Sequence, residues 1–102
     1  MRVTSNISAD GKTITINIGE RFDFSCHGEF RDAYSAVDPA QTKFIINFSR
    51  TDYLDSAALG MLLVLRERAG GDKADITLEG CNASVRQIMD VTRFERLFEI
   101  KA

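Results

Sequence analysis

The sequence predicts an α/β sandwich: a mixed β-sheet that opens with a hairpin and is backed by about three to four helices. Three observations carry this reading. The first twenty residues alternate, with Val3, Ser5, Ile7 and then Ile14, Ile16, Ile18 recurring at every second position. From Lys43 onward, short apolar runs alternate with segments whose apolar residues recur at helical spacing. Turn-forming pairs, Asp10-Gly11, Asp38-Pro39 and Gly70-Gly71, separate them. Strand–helix alternation after an initial hairpin is the pattern of a sheet covered by helices.

Each element has its own warrant. Ala9-Asp10-Gly11-Lys12 joins the first two strands, because Asp-Gly supplies the positive φ that a tight hairpin needs. Gly19-Glu20 breaks the alternation, and a short strand at Arg21-Phe22-Asp23-Phe24 leads to a first helix. Ser25 is its expected N-cap, and Cys26, Phe30, Ala33, Tyr34 and Val37 form an apolar stripe. Asp38-Pro39 is expected to end that helix, since a residue before proline is pushed from the α region. Lys43-Phe44-Ile45-Ile46-Asn47-Phe48 reads as a central parallel strand, apolar on both faces. A polar loop from Ser49 to Asp55 comes next, then a helix from Ser56 to about Ala69 closed by Gly70-Gly71. Ala74 to Leu78 is the next strand. Asn82 caps a third helix with Val85, Ile88, Met89 and Thr92 on one face, and Arg96 to Ile100 forms a terminal strand.

Composition narrows the function. The chain has 102 residues with 13 basic and 15 acidic side chains, a net charge of -2, which gives no basic surplus for nucleic acid. One domain spanning residues 1–102 is expected, burying roughly two-thirds of its unfolded surface. The N-terminus lacks an apolar signal region, and the run Ala57–Leu65 is far short of the ~20 residues that cross a bilayer, so a cytoplasmic protein without membrane insertion is expected. Cys26 and Cys81 read as free buried thiols.

Catalytic signals are weak. Cys26 and His27 are adjacent, so on a helix they point about 100° apart and do not face each other. With Cys81 they offer no metal-ligand spacing, and Gly70-Gly71 lacks the Lys-Ser/Thr of a phosphate loop. No cofactor, no metal and no enzymatic activity are expected.

Thr51-Asp52-Tyr53-Leu54-Asp55-Ser56-Ala57-Ala58-Leu59-Gly60 is more informative. Ser56 stands where a loop leaving a central strand becomes a helix, either as a simple N-cap or at the end of the sheet where α/β folds place their sites. The helix has no polar residue until Arg66. An apolar circumference must be buried between neighbouring helices or offered to a partner. A phosphate on Ser56 would add roughly -1.5 to -2 of charge at a helix N-terminus, which tolerates it, beside Asp52 and Asp55.

These residues resemble the STAS domain (sulphate transporter and anti-sigma factor antagonist) in its stand-alone bacterial antagonist form, over nearly the whole chain. The resemblance rests on the opening hairpin, Gly19-Glu20-Arg21-Phe22-Asp23, Phe44-Ile45-Ile46-Asn47-Phe48, Tyr53-Leu54-Asp55-Ser56-Ala57-Ala58-Leu59-Gly60 and Val91-Thr92-Arg93-Phe94-Glu95-Arg96-Leu97-Phe98-Glu99-Ile100. It implies a partner-switching regulator. A Ser/Thr kinase or anti-sigma factor of the histidine-kinase-like ATPase type would phosphorylate Ser56, and a metal-dependent serine phosphatase would reset it. Asp55 and Asp23 match acidic positions near the acceptor. Asp52, Tyr53, Ala57, Ala58, Leu59 and Met61 would shape the docking face.

Ala57 and Ala58 stand where the motif usually has Ser and Gly, and the family's C-terminal helix is expected to be short or absent. Such proteins often control biofilm, motility or stress output, and a monomer or weak homodimer is expected. The alternative is a constitutive STAS subunit of a lipid-transport ATPase complex. A small-molecule or nucleotide binder is disfavoured because no Gly-rich phosphate cradle is present.

Overall fold

The computed structural model describes residues 2–101. Strands β1 (Val3–Ile7) and β2 (Thr13–Ile18) form the predicted hairpin, pairing antiparallel from Val3 opposite Ile18 to Ile7 opposite Ile14. Its turn is set by Gly11 at φ 73° and by Asp10, whose carboxylate accepts from the Ser8 hydroxyl and the Lys12 amide. Strand β3 (Arg21–Phe22) is followed by a 3₁₀ turn (Phe24–Cys26) and helix α1 (His27–Ala33). Then come β4 (Lys43–Asn47), β5 (Tyr53–Leu54), α2 (Ser56–Arg68), β6 (Ile76–Glu79), α3 (Ala83–Val91) and β7 (Glu99–Ile100).

The main sheet runs β1-β2-β4-β6-β7, with every pair beyond the hairpin parallel, so the predicted mixed sheet is observed. Ile14, Ile16 and Ile18 of β2, Phe44 and Ile46 of β4, and Ile76 and Leu78 of β6 form one buried face, joined by Met61, Leu62, Leu65, Val85 and Met89 from the helices. The opposite face is polar. Asn6, Asn17 and Asn47 form a hydrogen-bonded row across three strands, Asn17 Nδ2 donating to Asn6 Oδ1 at 3.1 Å and Asn47 Nδ2 to Asn17 Oδ1 at 3.0 Å. Strand β4 is therefore not apolar on both faces: Lys43 is exposed, and Ile45 and Asn47 are half-buried. Hydrophobic residues inside a parallel sheet signal two covered faces only where every position is apolar, and here Lys43 and Asn47 already break the run.

The first helix is shorter than predicted. Asp23, not Ser25, is the capping residue: its carboxylate accepts from the Ser25 amide at 3.0 Å and opens the 3₁₀ turn. Helix α1 stops at Ala33, before Val37, because Tyr34 leaves helical geometry and buries its ring edge-on against Phe44, with centroids 6.0 Å apart. Asp38-Pro39 thus ends no helix. It starts a separate 3₁₀ turn, with Asp38 accepting from the Ala40 amide. The last strands are also shifted: β6 begins at Ile76, and Phe94–Arg96 forms a 3₁₀ turn ahead of β7. Helix α3 stops at Val91, and Thr92 caps it by donating its hydroxyl to the Ile88 carbonyl at 2.7 Å.

Arg2 fastens the chain start to α1. Its Nε and Nη2 donate to Glu29 Oε2 at 3.1 and 2.8 Å, and its backbone amide donates to Oε1 at 3.1 Å. The hydrogen bonds from Arg2 hold the Glu29 carboxyl below its ordinary value of 4.5. A carboxylate depressed in this way stabilises the fold above its unfolded value and loses that contribution as pH falls through its folded value. Acid unfolding monitored by circular dichroism is therefore expected to steepen from about pH 4.5 downward, and Glu29→Gln to flatten that limb while lowering stability at neutral pH. An unchanged acid limb in Glu29→Gln would mean that the Arg2–Glu29 clamp does not hold the chain start.

Two glycines with the same left-handed backbone differ in their surroundings. Gly11 (φ 73°) faces open space, whereas a Cβ on Gly80 (φ 75°) would meet the Ser49 amide nitrogen at 2.8 Å. Gly80 comes just after β6 and presses on the start of the loop that carries Ser56. Gly11→Ala is expected to cost about 1 kcal/mol, for the left-handed conformation alone, and Gly80→Ala about 3, because backbone must also move. Chemical denaturation of both variants checks the difference; equal losses would rule out the close approach as its cause.

Candidate functional site

The loops that leave β2 and β4 are tied together by a two-stranded parallel ribbon, β3 with β5, in which Arg21 faces Tyr53 and Phe22 faces Leu54. An aspartate stands directly after each ribbon strand and caps the turn or helix that it opens. Asp23 begins the turn into α1, and Asp55, in extended conformation, accepts from the Ala58 amide at 2.9 Å to begin α2. The two caps are held side by side because the Asp55 amide donates to the Phe22 carbonyl at 3.3 Å. The ribbon is anchored from behind: buried Thr51 donates its hydroxyl to the Gly19 carbonyl at 2.7 Å, and Asn82 Nδ2 donates to the Thr51 carbonyl at 3.1 Å.

Ser56 is the first residue of α2, so it is not the N-cap; Asp55 is. Either residue type can cap a helix, and the one that took the extended backbone was the one paired to the ribbon. The consequence is chemical. A capping hydroxyl would be engaged by a backbone amide, whereas the Ser56 side chain is exposed and makes no hydrogen bond among the described residues. It sits where unpaired amides and the helix dipole favour negative charge.

The other predicted positions separate into two groups. Asp52, Tyr53 and Ser56 are exposed, and Asp23, Asp55, Ala57 and Leu59 are half-buried. Ala58 and Met61 are buried in the core, Ala58 fully and Met61 at 6% exposure. Asp23 is held below the ordinary carboxylate range, first by the Ser25 hydroxyl that donates to it and then by the Ser25 amide and Arg21, with partial burial acting in the opposite direction. It therefore keeps its charge at the end of β3, across the ribbon from the Asp55 cap.

Several surface residues escape the sequence reading. Arg21 stacks over the Tyr53 ring at 4.1 Å while its Nε lies 3.5 Å from Asp23. Phe24 is 71% exposed, and Leu63 and Val64 lie open on α2. The apolar helix is thus partly buried, through Ala58, Met61, Leu62 and Leu65, and partly offered to solvent. For Phe24 the available signal was an aromatic residue placed directly after a capping aspartate, where the chain turns and cannot bury it.

Among the described residues no group of three or more His, Cys, Asp or Glu side chains could hold a metal ion, and no helix is long and apolar enough to cross a membrane. Cys26 is buried, with its thiol donating to the Arg21 carbonyl at 3.4 Å, and Cys81 is half-buried; both are free.

Residues 5–99 match the family described as Mlab, STAS domain. The chain is 47% identical over 100 residues to a STAS-domain containing protein of Pseudomonas aeruginosa strain UCBPP-PA14, covering 98% of this chain and 99% of that one. Among solved structures it resembles the anti-sigma factor antagonist SpoIIAA in its unphosphorylated form, with a TM-score of 0.74 at 16% identity over 98% of this chain and 87% of that one. The phosphorylated form of the Bacillus cell fate determinant SpoIIAA gives 0.72 at 15% identity, covering 98% and 91%. An anti-sigma factor antagonist from Mycobacterium paratuberculosis gives 0.77 at 16% identity, covering 96% and 84%. At these identities the structural likeness establishes the fold.

Proposed function

We propose, from the premise that the chain belongs to the STAS domain family, that it is a non-enzymatic partner-switching regulator controlled by a phosphate on Ser56. The observation that carries this reading is the division of labour between Asp55 and Ser56. Asp55 performs the structural work of starting α2. Ser56 is left exposed and free of hydrogen bonds beside it, so its hydroxyl can be modified without removing a contact that the fold uses.

The switch works through surface charge. A phosphate gains from the first-turn amides and the dipole of α2, so the helix keeps its start. Outward, the same group adds charge between Tyr53 and α2 and beside Asp55 and Asp23. A partner fitted to the neutral hydroxyl then meets a repulsion that was absent. The likeness to SpoIIAA, solved with and without phosphate, supports a fold that accommodates both states. On this reading the partner is an anti-sigma factor or a Ser/Thr kinase of the histidine-kinase-like ATPase type, and a metal-dependent serine phosphatase removes the group.

The test is phosphosite mapping by mass spectrometry on protein purified from its own cell across growth conditions. The expected result is a single phosphorylated position, Ser56, with a Ser56→Ala variant that gives only one band on phosphate-affinity electrophoresis. Leu63 and Val64 lie exposed on α2, which is what a constitutive subunit of a lipid-transport ATPase complex would need for docking. An unmodified band in every condition would overturn the switch and favour that subunit role.

A further inference from the structure

Between α1 and α2 lies a partly open hollow of about 390 Å³, within the size range of small-ligand sites. Phe24, Phe30, Met61 and Val64 supply its apolar lining, and Ala57 and Gly60 keep its α2 wall low. Gly60 is not there for backbone freedom: its φ is helical, and a Cβ added to it would meet nothing within 4 Å. Glycine in a helix interior costs roughly 0.5–1 kcal/mol relative to alanine, so its presence holds space open at the expense of the helix.

The hollow is graded along its length. Phe24 and Ala57 line one part of it, Phe24 stacked on His27 with ring centroids 5.9 Å apart. Arg31, Tyr34 and Arg68 line it as well, and all three also line the adjoining hollow, where Asp32 is the one carboxylate. Neither guanidinium makes an ion pair or a side-chain hydrogen bond among the described residues, in a chain whose net charge is negative. From Ala57 to Arg68 the α2 wall is roughly 16 Å long at a 1.5 Å rise per residue. Two free guanidiniums lining an apolar trough match a carboxylate head, which arginine holds by paired hydrogen bonds, with a hydrocarbon tail behind it.

We propose that this hollow binds a free medium-chain fatty acid, its carboxylate between Arg31 and Arg68 and its chain over Gly60 toward Phe24. A hollow of about 390 Å³ is the size for one hydrocarbon chain, whereas a protein partner needs about 800 Å² of surface on each side. The site is independent of whether Ser56 is phosphorylated. A bound tail would cover Ala57 and Gly60, next to the acceptor, and so would compete with docking at the N-terminus of α2.

Calorimetric titration of the full chain with decanoate, below its micelle concentration, tests the assignment. Saturable binding in the range of about 10–100 μM is expected, with decanol, the uncharged analogue, at least about tenfold weaker. The double variant Arg31→Gln/Arg68→Gln should lose about tenfold or more. Gly60→Leu should abolish binding by filling the trough, while its thermal midpoint stays level or rises. Absence of saturable heat with decanoate overturns the proposal, as does equal affinity for decanol or full binding by Gly60→Leu. So does a silent decanoate titration with loss of a protein partner in Gly60→Leu, which would make the trough a protein-docking surface.

Discussion

Phe22→Ala is expected to lower the midpoint of thermal unfolding by roughly 15–30 °C, from a loss of about 3–5 kcal/mol. Phe22 is fully buried, with its ring centroid 5.2 Å from that of Phe30 and 5.9 Å from that of Phe48. Its ring therefore joins β3 to α1 and to the end of β4 at one point. Truncation removes the transfer energy of the ring and leaves a cavity whose walls belong to three separate elements, so collapse around it is limited. The backbone of the same residue pairs with Leu54 and accepts from the Asp55 amide. Partner binding should therefore fall along with stability, because the Asp23 and Asp55 caps lose their common support. Phe22→Leu, which keeps most of the volume, should lose less than half as much. A loss below about 1 kcal/mol in Phe22→Ala would mean that the ribbon is not packed as described.

The second large effect concerns binding alone. A like charge on the partner within about 6 Å of the phosphate would repel it by about 2.8 kcal/mol at an effective dielectric constant of about 20, a hundredfold in affinity. Phosphorylation of Ser56 is accordingly expected to weaken docking of an anti-sigma factor or kinase partner by about a hundredfold, with Ser56→Asp giving a smaller loss and Ser56→Ala almost none. Stability should barely change, because an acid in the first turn of a helix gains about 0.3–1 kcal/mol from the dipole while Asp55 beside it opposes that gain. Surface plasmon resonance against the partner, with thermal denaturation of the same three proteins, separates the two quantities. Equal affinities for the alanine and aspartate variants would end the switching account.

The parts of this design that are legible in the sequence are those governed by local physics. Alternation places β2 and the hairpin, Asp10-Gly11 places its turn, and the start of α2 is readable to the residue. Local physics cannot choose between Asp55 and Ser56 as the cap, because both side chains suit the role and the choice is made by the pairing of β5 with β3 across thirty-two positions of sequence. The same distance hides β5 itself: two residues inside a polar loop carry no periodicity. Helix α1 reads too long because Tyr34 and Val37 continue the apolar stripe, although Tyr34 is buried from a turn instead. Ala58 and Met61 look like surface because the helix is apolar all round, and only the position of the sheet decides which side is inside. The trough between α1 and α2 is formed by two segments far apart in the chain, and nothing in either segment announces it.

The uncovered sheet face has a practical use. Because the helices lie on one side only, a probe carried on the other side leaves α1, α2 and Ser56 free. Thr4 is exposed on the outermost strand of that face. A cysteine there would anchor the domain to a sensor surface in a single orientation. The native thiols would compete poorly for a coupling reagent, since Cys26 is buried and burial pushes the Cys81 thiol up, away from its reactive thiolate. The bare side of the sheet is thus a handle by which the protein can be held while its other side is read.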